Sequence, residues 1–147
     1  MLVISDSSPL IVLVNIGHVD VLPKLFGRVF IPPAVATELF ASSRAQAVRD
    51  FMAAQPAWLA VQRPTTTQQI PELHPGESEA LSLAIELHAD LLLIDERRAY
   101  REAVARQLNA IGTIRVLERA RRRGVAQFEG CFRSRETDRF LDSAQIS

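Results

Sequence analysis

Apolar residues along this chain form short continuous runs that lead into acidic residues. Leu91 to Ile94 runs directly into Asp95, and Leu2 to Ile4 runs through Ser5 into Asp6. An unbroken apolar run of this length is typical of a parallel strand that is covered on both faces. Because the carboxyl ends of parallel strands meet at one edge of the sheet, the pattern predicts that Asp6 and Asp95 lie at the edge where open α/β folds keep their sites.

The rest of the pattern alternates between helices and strands. Helices are predicted to begin near Ser7, Asp20, Pro32, Ser43, Pro75, Arg98 and Ile114, and further strands to cover Val29 to Ile31, Trp58 to Val61 (an edge strand) and Ile111 to Thr113. In the helix after Pro32, the residues Val35, Leu39 and Phe40 are spaced for burial, and Glu38 lies off their stripe. The segment from Gln62 to His74 is predicted to be a loop. This order predicts the α/β class: a three-layer α/β/α sandwich around a central, mostly parallel sheet.

Length and composition favour one soluble domain. The 147 residues, 48% of them hydrophobic, are enough for one core, so residues 1–147 are predicted to form a single domain with a core at 1–123 and an amphipathic tail at 125–147. Cys131 is the only cysteine, which rules out an intramolecular disulfide and suits the cytoplasm. The apolar stretch from Pro9 to Ile16 is short and lacks a basic leader, so we expect neither a secretory signal nor a membrane span.

The charge is balanced overall but unevenly placed. Net charge is zero, whereas the stretch from Arg97 to Arg123 holds nine arginines and two glutamates, a local charge of +7. Arginine can grip phosphate with two parallel hydrogen bonds, so the stretch is compatible with a polyphosphate ligand. A solvated helix face explains it equally well. The candidate nucleic-acid-binding residues are Arg97, Arg98, Arg101, Arg119, Arg122 and Arg123.

Four acids are predicted to converge at the carboxyl edge of the sheet. Asp6 and Asp95 end strands, Glu79 lies near the start of a helix, and Glu38 lies about two turns into another helix that starts at the same edge. Bringing two carboxylates within about 4 Å costs roughly 4 kcal/mol at an effective dielectric near 20, so such a cluster needs a cation. Oxygen ligands without a His or Cys shell indicate Mg²⁺ or Mn²⁺, which could promote phosphodiester hydrolysis. Each acid taken alone is more simply a helix cap or an exposed acid.

Four motifs carry a resemblance to a known family. They are Val3-Ile4-Ser5-Asp6-Ser7-Ser8-Pro9-Leu10, Ile31-Pro32-Pro33-Ala34-Val35-Ala36-Thr37-Glu38-Leu39, Pro75-Gly76-Glu77-Ser78-Glu79-Ala80 and Asp90-Leu91-Leu92-Leu93-Ile94-Asp95. Together they resemble the PIN domain, in particular small prokaryotic PIN-like proteins related to VapC-type toxins. The resemblance extends from residue 2 to about residue 123 and implies a metal-dependent ribonuclease.

The resemblance also implies a role for each acid. Asp6 corresponds to the first acid, Glu38 to the second, Glu79 to the helix acid and Asp95 to the acid of the fourth strand. Glu77 competes with Glu79 for the helix position, Ser8 corresponds to the residue that supports the first acid, and Glu96 could substitute at the fourth. The sequence departs from the family where Leu93 replaces the usual Thr and Ala99 the usual aromatic residue.

The acids and the resemblance together lead to two alternative expectations for the function. The first is an Mg²⁺- or Mn²⁺-dependent endoribonuclease, the toxin of a toxin–antitoxin pair. The second is a weak or inactive PIN-like module that binds RNA or a protein partner. Apolar tail residues Phe132, Phe140 and Leu141 indicate docking on the domain or on a second copy, and we expect a homodimer.

Other chemistries fit the sequence poorly. Ser7 and Ser8 lack the partners of a serine hydrolase, and the single Lys24 lies too early for a phosphotransfer domain. His18, His74 and His88 have no mutual metal-ligand spacing, although His74 is close to the proposed site.

Overall fold

The centre of the protein is a five-stranded sheet. The structure is a computed structural model that describes residues 1–126. Its strands are β1 (Val3–Ser5), β2 (Val29–Ile31), β3 (Leu59–Val61), β4 (Leu91–Leu93) and β5 (Ala110–Ile111). They lie in the order β3-β2-β1-β4-β5, and all four neighbouring pairs are parallel. The predicted parallel sheet and the position of β3 at its edge are therefore confirmed.

Seven helices surround this sheet in the described part of the chain. They are α1 (Ser7–Asn15), α2 (Val21–Phe26), α3 (Pro33–Phe40), α4 (Gln46–Ala53), α5 (Pro75–Glu86), α6 (Arg97–Ala105) and α7 (Thr113–Arg122). None of these helices combines the length and the apolar character that a membrane crossing requires.

Alternation along the strands divides the core into two halves. Val3 and Leu93 face the larger half, which also contains the apolar side chains of α1, α2, α3, α4 and α7. Ile4 and Leu92 face the smaller half, which they share with α5 and α6. Each central strand is therefore buried on both faces, which is why its sequence is continuously apolar. The result is the predicted three-layer α/β/α sandwich.

Three local predictions were wrong. Phe40 ends α3 with 53% of its surface exposed, whereas its neighbour Leu39 is fully buried. The helix predicted from Ser43 begins only at Gln46. Thr113 was assigned to a strand, but it opens α7 because its amide and hydroxyl both bond to Asp95.

The predicted loop after β3 contains no helix or strand between residues 62 and 74. It is nevertheless fixed to α5: the amide of Thr65 donates to the Glu86 carboxylate, and the amide of Gln68 donates to the Ser82 hydroxyl at 2.9 Å. Ile70 is buried in the smaller half of the core. The loop therefore has a defined course to the start of α5.

The predicted C-terminal tail lies outside the described residues from residue 127 onward. This applies to Cys131, Phe132, Phe140 and Leu141, on which the docking and dimer predictions depend. The extent of the single domain and the homodimer both stay predictions.

Candidate active site

The candidate site is built where the two central strands end. β1 and β4 are paired neighbours, and the amide of Asp6 continues their ladder by donating to the carbonyl of Leu93 at 2.9 Å. Asp6 and Asp95 therefore follow adjacent strands at the same edge, as the apolar runs predicted. What the two side chains do there differs.

Asp6 is a buried acid with an unsatisfied oxygen. The residue is 1% exposed, and its Oδ1 has no hydrogen-bond partner in the described part of the chain. Burial is the main cause that raises the pKa of Asp6 to about 7, and the charges of Glu77 and Glu38 raise it further. The Ser7 amide and His74 lower this pKa in part. A buried polar atom without a partner is costly and is a common sign of a functional site.

Glu38 reaches the site from α3. Its Oε2 accepts a hydrogen bond of 2.8 Å from the Ser7 hydroxyl. Its Oε1 lies so close to Gly76 that a Cβ at that position would be 2.0 Å away. Glycine at residue 76 therefore lets α3 and α5 approach closely enough for Glu38 to enter the site. Arg44 also contacts this residue, since its Nε donates to the Glu38 carbonyl at 3.2 Å.

Glu77 comes from the first turn of α5. Its side chain turns back toward the helix start, where Oε1 accepts from the amide of His74 at 3.2 Å. The residue is 3% exposed. Burial raises the pKa of Glu77, as do the charges of Glu96 and Glu38, while the His74 amide and imidazole lower it. Asp6, Glu38 and Glu77 thus repel one another, and we call these three residues the acid cluster.

His74 lies between two members of the acid cluster. Its Nδ1 is 3.5 Å from Oε1 of Glu38, and its Nε2 is 3.4 Å from Oε2 of Glu77. The sequence placed His74 near the site but gave it no partner. A protonated imidazole here would offset part of the negative charge.

The other two predicted acids have structural contacts. Both carboxylate oxygens of Asp95 accept from Thr113, one from the amide at 2.7 Å and one from the hydroxyl at 2.6 Å. This joins the end of β4 to the start of α7. Glu79 accepts from the amide of Ala34 at 3.3 Å and so stabilises the first turn of α3. The structure therefore brings together Asp6, Glu38 and Glu77, and it directs Asp95 and Glu79 to helix starts.

The supporting residues also differ from those predicted. The hydroxyl that contacts the acid cluster belongs to Ser7 rather than to Ser8. Glu96 caps α6 by accepting from the amide of Ala99 at 2.8 Å, and its charge acts on Glu77. Glu96 therefore belongs to the surroundings of the site.

The donor set fits a hard divalent cation. In the described residues, no three His, Cys, Asp or Glu side chains already stand in an arrangement that would hold a metal ion. The orphaned Oδ1 of Asp6 nevertheless lacks a positive or donating partner, and Glu38 and Glu77 lie close enough to act on its pKa. Carboxylate oxygens are the ligands that Mg²⁺ and Mn²⁺ prefer. Asp6, Glu38 and Glu77 are therefore the residues that would hold such an ion.

The candidate nucleic-acid-binding arginines fall into two groups. Arg97, Arg98 and Arg101 lie in α6, which begins directly after Glu96 at the site, and Arg98 pairs with Glu72. The second group lies at the far end of α7 and consists of Arg119, Arg122 and Arg123. Arg122 lies nine positions after Thr113, or about 14 Å along a helix.

Replacing Asp6 with Asn should change stability in a pH-dependent way when EDTA is present. Because folding raises the pKa of this carboxyl from 3.8 to about 7, the folded state binds the extra proton between these values. The stability that the protonated Asp6 carboxyl contributes is fully present below pH 4 and is lost as pH rises toward 7. At pH 8, the free energy of unfolding of Asp6→Asn, measured by urea denaturation, should therefore exceed that of the wild type by up to about 4 kcal/mol. If the free energies of unfolding of variant and wild type differ by the same amount at pH 4.5 and at pH 8, the assigned repulsion is contradicted.

Replacing Asp95 with Asn should have the opposite effect. The carboxylate accepts two bonds from Thr113, so its loss should lower the free energy of unfolding by about 1–2 kcal/mol at pH 8 in EDTA. A double-mutant cycle with Thr113→Val measures the coupling of the pair. If Asp95→Asn is stabilising under these conditions, Asp95 belongs with the repelling acids and this interpretation is wrong.

Comparison with known proteins agrees with the fold. The sequence matches the family profile described as a PIN domain over residues 2–134. A PilT N-terminus domain protein from the hyperthermophilic archaeon Sulfolobus solfataricus P2 has a similar structure, with a TM-score of 0.57 and 18% identity over 82% of this chain and 93% of that chain. At this identity the likeness shows the fold alone. No curated protein matches the chain. The chain belongs to the PIN-domain family, whose members are generally nucleases.

Proposed function

We propose that this protein is a metal-dependent endoribonuclease whose ion is held by Asp6, Glu38 and Glu77. The observation that carries the proposal is the buried Oδ1 of Asp6, which has no hydrogen-bond partner in residues 1–126 while two other carboxylates act on it. A carboxylate in this position gains most from a cation, because the cation removes both the repulsion and the cost of burial. Mg²⁺ and Mn²⁺ are the proposed ions.

The division of labour among the residues follows from their contacts. A bound ion would polarise the phosphodiester and lower the pKa of an attacking water. The chain supplies the rest. Ser7 fixes the orientation of Glu38 by donating to Oε2, and the His74 amide fixes Glu77 at the start of α5. Gly76 leaves room for Glu38 to enter.

RNA is the proposed substrate, and the start of α6 is the surface that we propose for it. Arg97 and Arg101 are exposed and follow Glu96. Guanidinium groups beside a nuclease site would hold phosphates on either side of the scissile bond. Arg98 is less free for this role because it pairs with Glu72.

The biological setting is a further part of the proposal. The family resemblance supports a toxin that is neutralised by an antitoxin protein. The single cysteine suits a cytoplasmic protein, and the apolar residues of the tail sequence suit a homodimer. These statements rest on the resemblance and on the tail.

A second candidate function is a module that binds RNA or a protein without cutting RNA. One observation favours it: Thr113 takes both oxygens of Asp95, the acid that the family resemblance assigns to metal. A site that lacks its fourth acid would bind the ion more weakly. An RNA cleavage experiment distinguishes the two functions.

The cleavage experiment tests the three acids of the cluster and uses Glu79, which shares α5 with Glu77, as the control. Wild-type protein with Mn²⁺ should cut a fluorescently labelled RNA, and Asp6→Asn, Glu38→Gln and Glu77→Gln should each lower the rate about a hundredfold or more, the usual cost of losing a group that stabilises transition-state charge. Glu79→Gln is the matched control and should retain activity, because Glu79 bonds to the amide of Ala34.

The outcome separates three interpretations. Loss of activity in Glu79→Gln but not in Glu77→Gln would restore the arrangement predicted from the sequence. A wild type that binds RNA but does not cut it at millimolar Mn²⁺ would favour the binding module. Circular dichroism of each variant establishes that it is folded.

The two groups of arginines give a test of the RNA surface. Replacing Arg97 and Arg101 with Gln should weaken RNA binding and reduce the slope of log affinity against log salt by about 1–2, since fewer counterions are released. Replacing Arg122 and Arg123 with Gln changes the charge equally and serves as control. Equal slopes for both double variants would mean that RNA does not prefer the start of α6.

A further inference from the structure

His74 and Arg44 both contact the acid cluster, and the proposed chemistry gives neither side chain a role. Of the two, only the imidazole has a lone pair that can bind a metal ion. His74 precedes α5, and its side chain is half exposed. Its ring points between α3 and α5, with one nitrogen toward Glu38 and the other toward Glu77. His74 is the N-cap of α5 and forms a capping box with Glu77, and this arrangement holds the ring beside both carboxylates.

The spacing of these atoms corresponds to the spacing of neighbouring metal ligands. Two ligand atoms that each lie about 2.1 Å from an ion are about 3.0 Å apart at octahedral angles and about 3.4 Å apart at tetrahedral angles. Nδ1 is 3.5 Å from a Glu38 oxygen, and Nε2 is 3.4 Å from a Glu77 oxygen. Either nitrogen could therefore share an ion with its neighbouring carboxylate after a small adjustment.

The second nitrogen adds to this argument. A histidine that binds a metal usually donates its other ring N–H to a carboxylate or carbonyl, which fixes the tautomer and the ring orientation. Here the two carboxylates lie at opposite ring nitrogens. The carboxylate beside the ligating nitrogen can share the ion with the ring. The other accepts the N–H through the oxygen that faces the ring, so it acts on the ion through its second oxygen or its charge.

Asp6 provides an independent observation that favours a ligand at this place. It is 1% exposed, and its Oδ1 has no partner within the described residues. The charges of His74, Glu38 and Glu77 also act on the pKa of Asp6.

We propose that His74 is a nitrogen ligand of the cation held by the acid cluster, and that it shifts the preference of the site from Mg²⁺ toward Mn²⁺ and Co²⁺. This inference rests on the proposed metal site. Imidazole suits the later first-row metals, whereas Mg²⁺ prefers carboxylate, carbonyl and water oxygens. The protein then binds Co²⁺ and Mn²⁺ more tightly than three carboxylates alone would allow.

The test measures metal binding directly by isothermal titration calorimetry with Mg²⁺, Mn²⁺ and Co²⁺. His74→Asn should weaken Co²⁺ and Mn²⁺ binding at least tenfold and leave Mg²⁺ binding within about twofold, since asparagine keeps a helix cap and an oxygen donor. His88→Asn is the matched control: it lies beyond the other end of α5 at φ 51°, a backbone conformation that asparagine tolerates. It should bind all three ions like the wild type.

Spectroscopy gives a second readout that a purely structural role would not change. Electron spin echo envelope modulation of bound Mn²⁺ should show a directly coordinated nitrogen in the wild type and in His88→Asn, and none in His74→Asn. Unchanged or tighter Co²⁺ binding by His74→Asn, or the absence of nitrogen coupling in the wild type, would overturn the proposal.

The Asp6→Asn variant separates this proposal from the metal site on which it rests. If Asp6→Asn abolishes metal binding and His74→Asn does not alter it, the acid cluster binds the ion and only the role of His74 is wrong. If Asp6→Asn binds all three ions like the wild type, the proposed site and the role of His74 both fail.

Discussion

Repulsion among three buried or half-buried carboxylates is the constraint on which the site depends. Asp6, Glu38 and Glu77 come from β1, α3 and α5, and each is within electrostatic reach of the other two. In a medium of low dielectric this arrangement costs stability, and burial of Asp6 adds to the cost. The surrounding contacts reduce that cost only in part.

The fold holds these acids together through backbone geometry. The parallel pairing of β1 with β4 fixes the end of β1, and α3 and α5 approach closely because Gly76 lacks a side chain. The apolar layers on both faces of the sheet supply the stability that the site uses. The protein thus resembles many enzymes, in which a stable scaffold offsets a destabilised site.

The two strand-end aspartates illustrate how one sequence signal leads to two roles. Both follow apolar runs, and both lie at the carboxyl edge. Asp6 has an oxygen without a partner, whereas Asp95 binds the first residue of α7 with both oxygens. A position at the end of a parallel strand therefore does not by itself fix the role of a carboxylate, because the neighbouring groups decide whether its oxygens are satisfied.

The sequence by itself determined the parallel sheet, its layers and the edge at which the acids lie. Continuous apolar runs require strands that are buried on both faces, and parallel connections leave strand ends and helix starts at one edge. Asp6 and Glu38 followed from this logic.

Only the tertiary structure decided which neighbouring residue faces the site. Glu77 and Glu79 lie two residues apart, which is about 200° around a helix, so their side chains point to nearly opposite sides of α5 and the orientation of α5 decides which of them faces the site. The same ambiguity separates Ser7 from Ser8. The orientation of α5 is set by its packing against α3, which is distant in sequence, and this packing includes the contact between Glu38 and Gly76. A local pattern carries no information about that contact, and so the choice of Glu77, the position of His74 and the pairing of Asp95 with Thr113 became visible only in the folded chain.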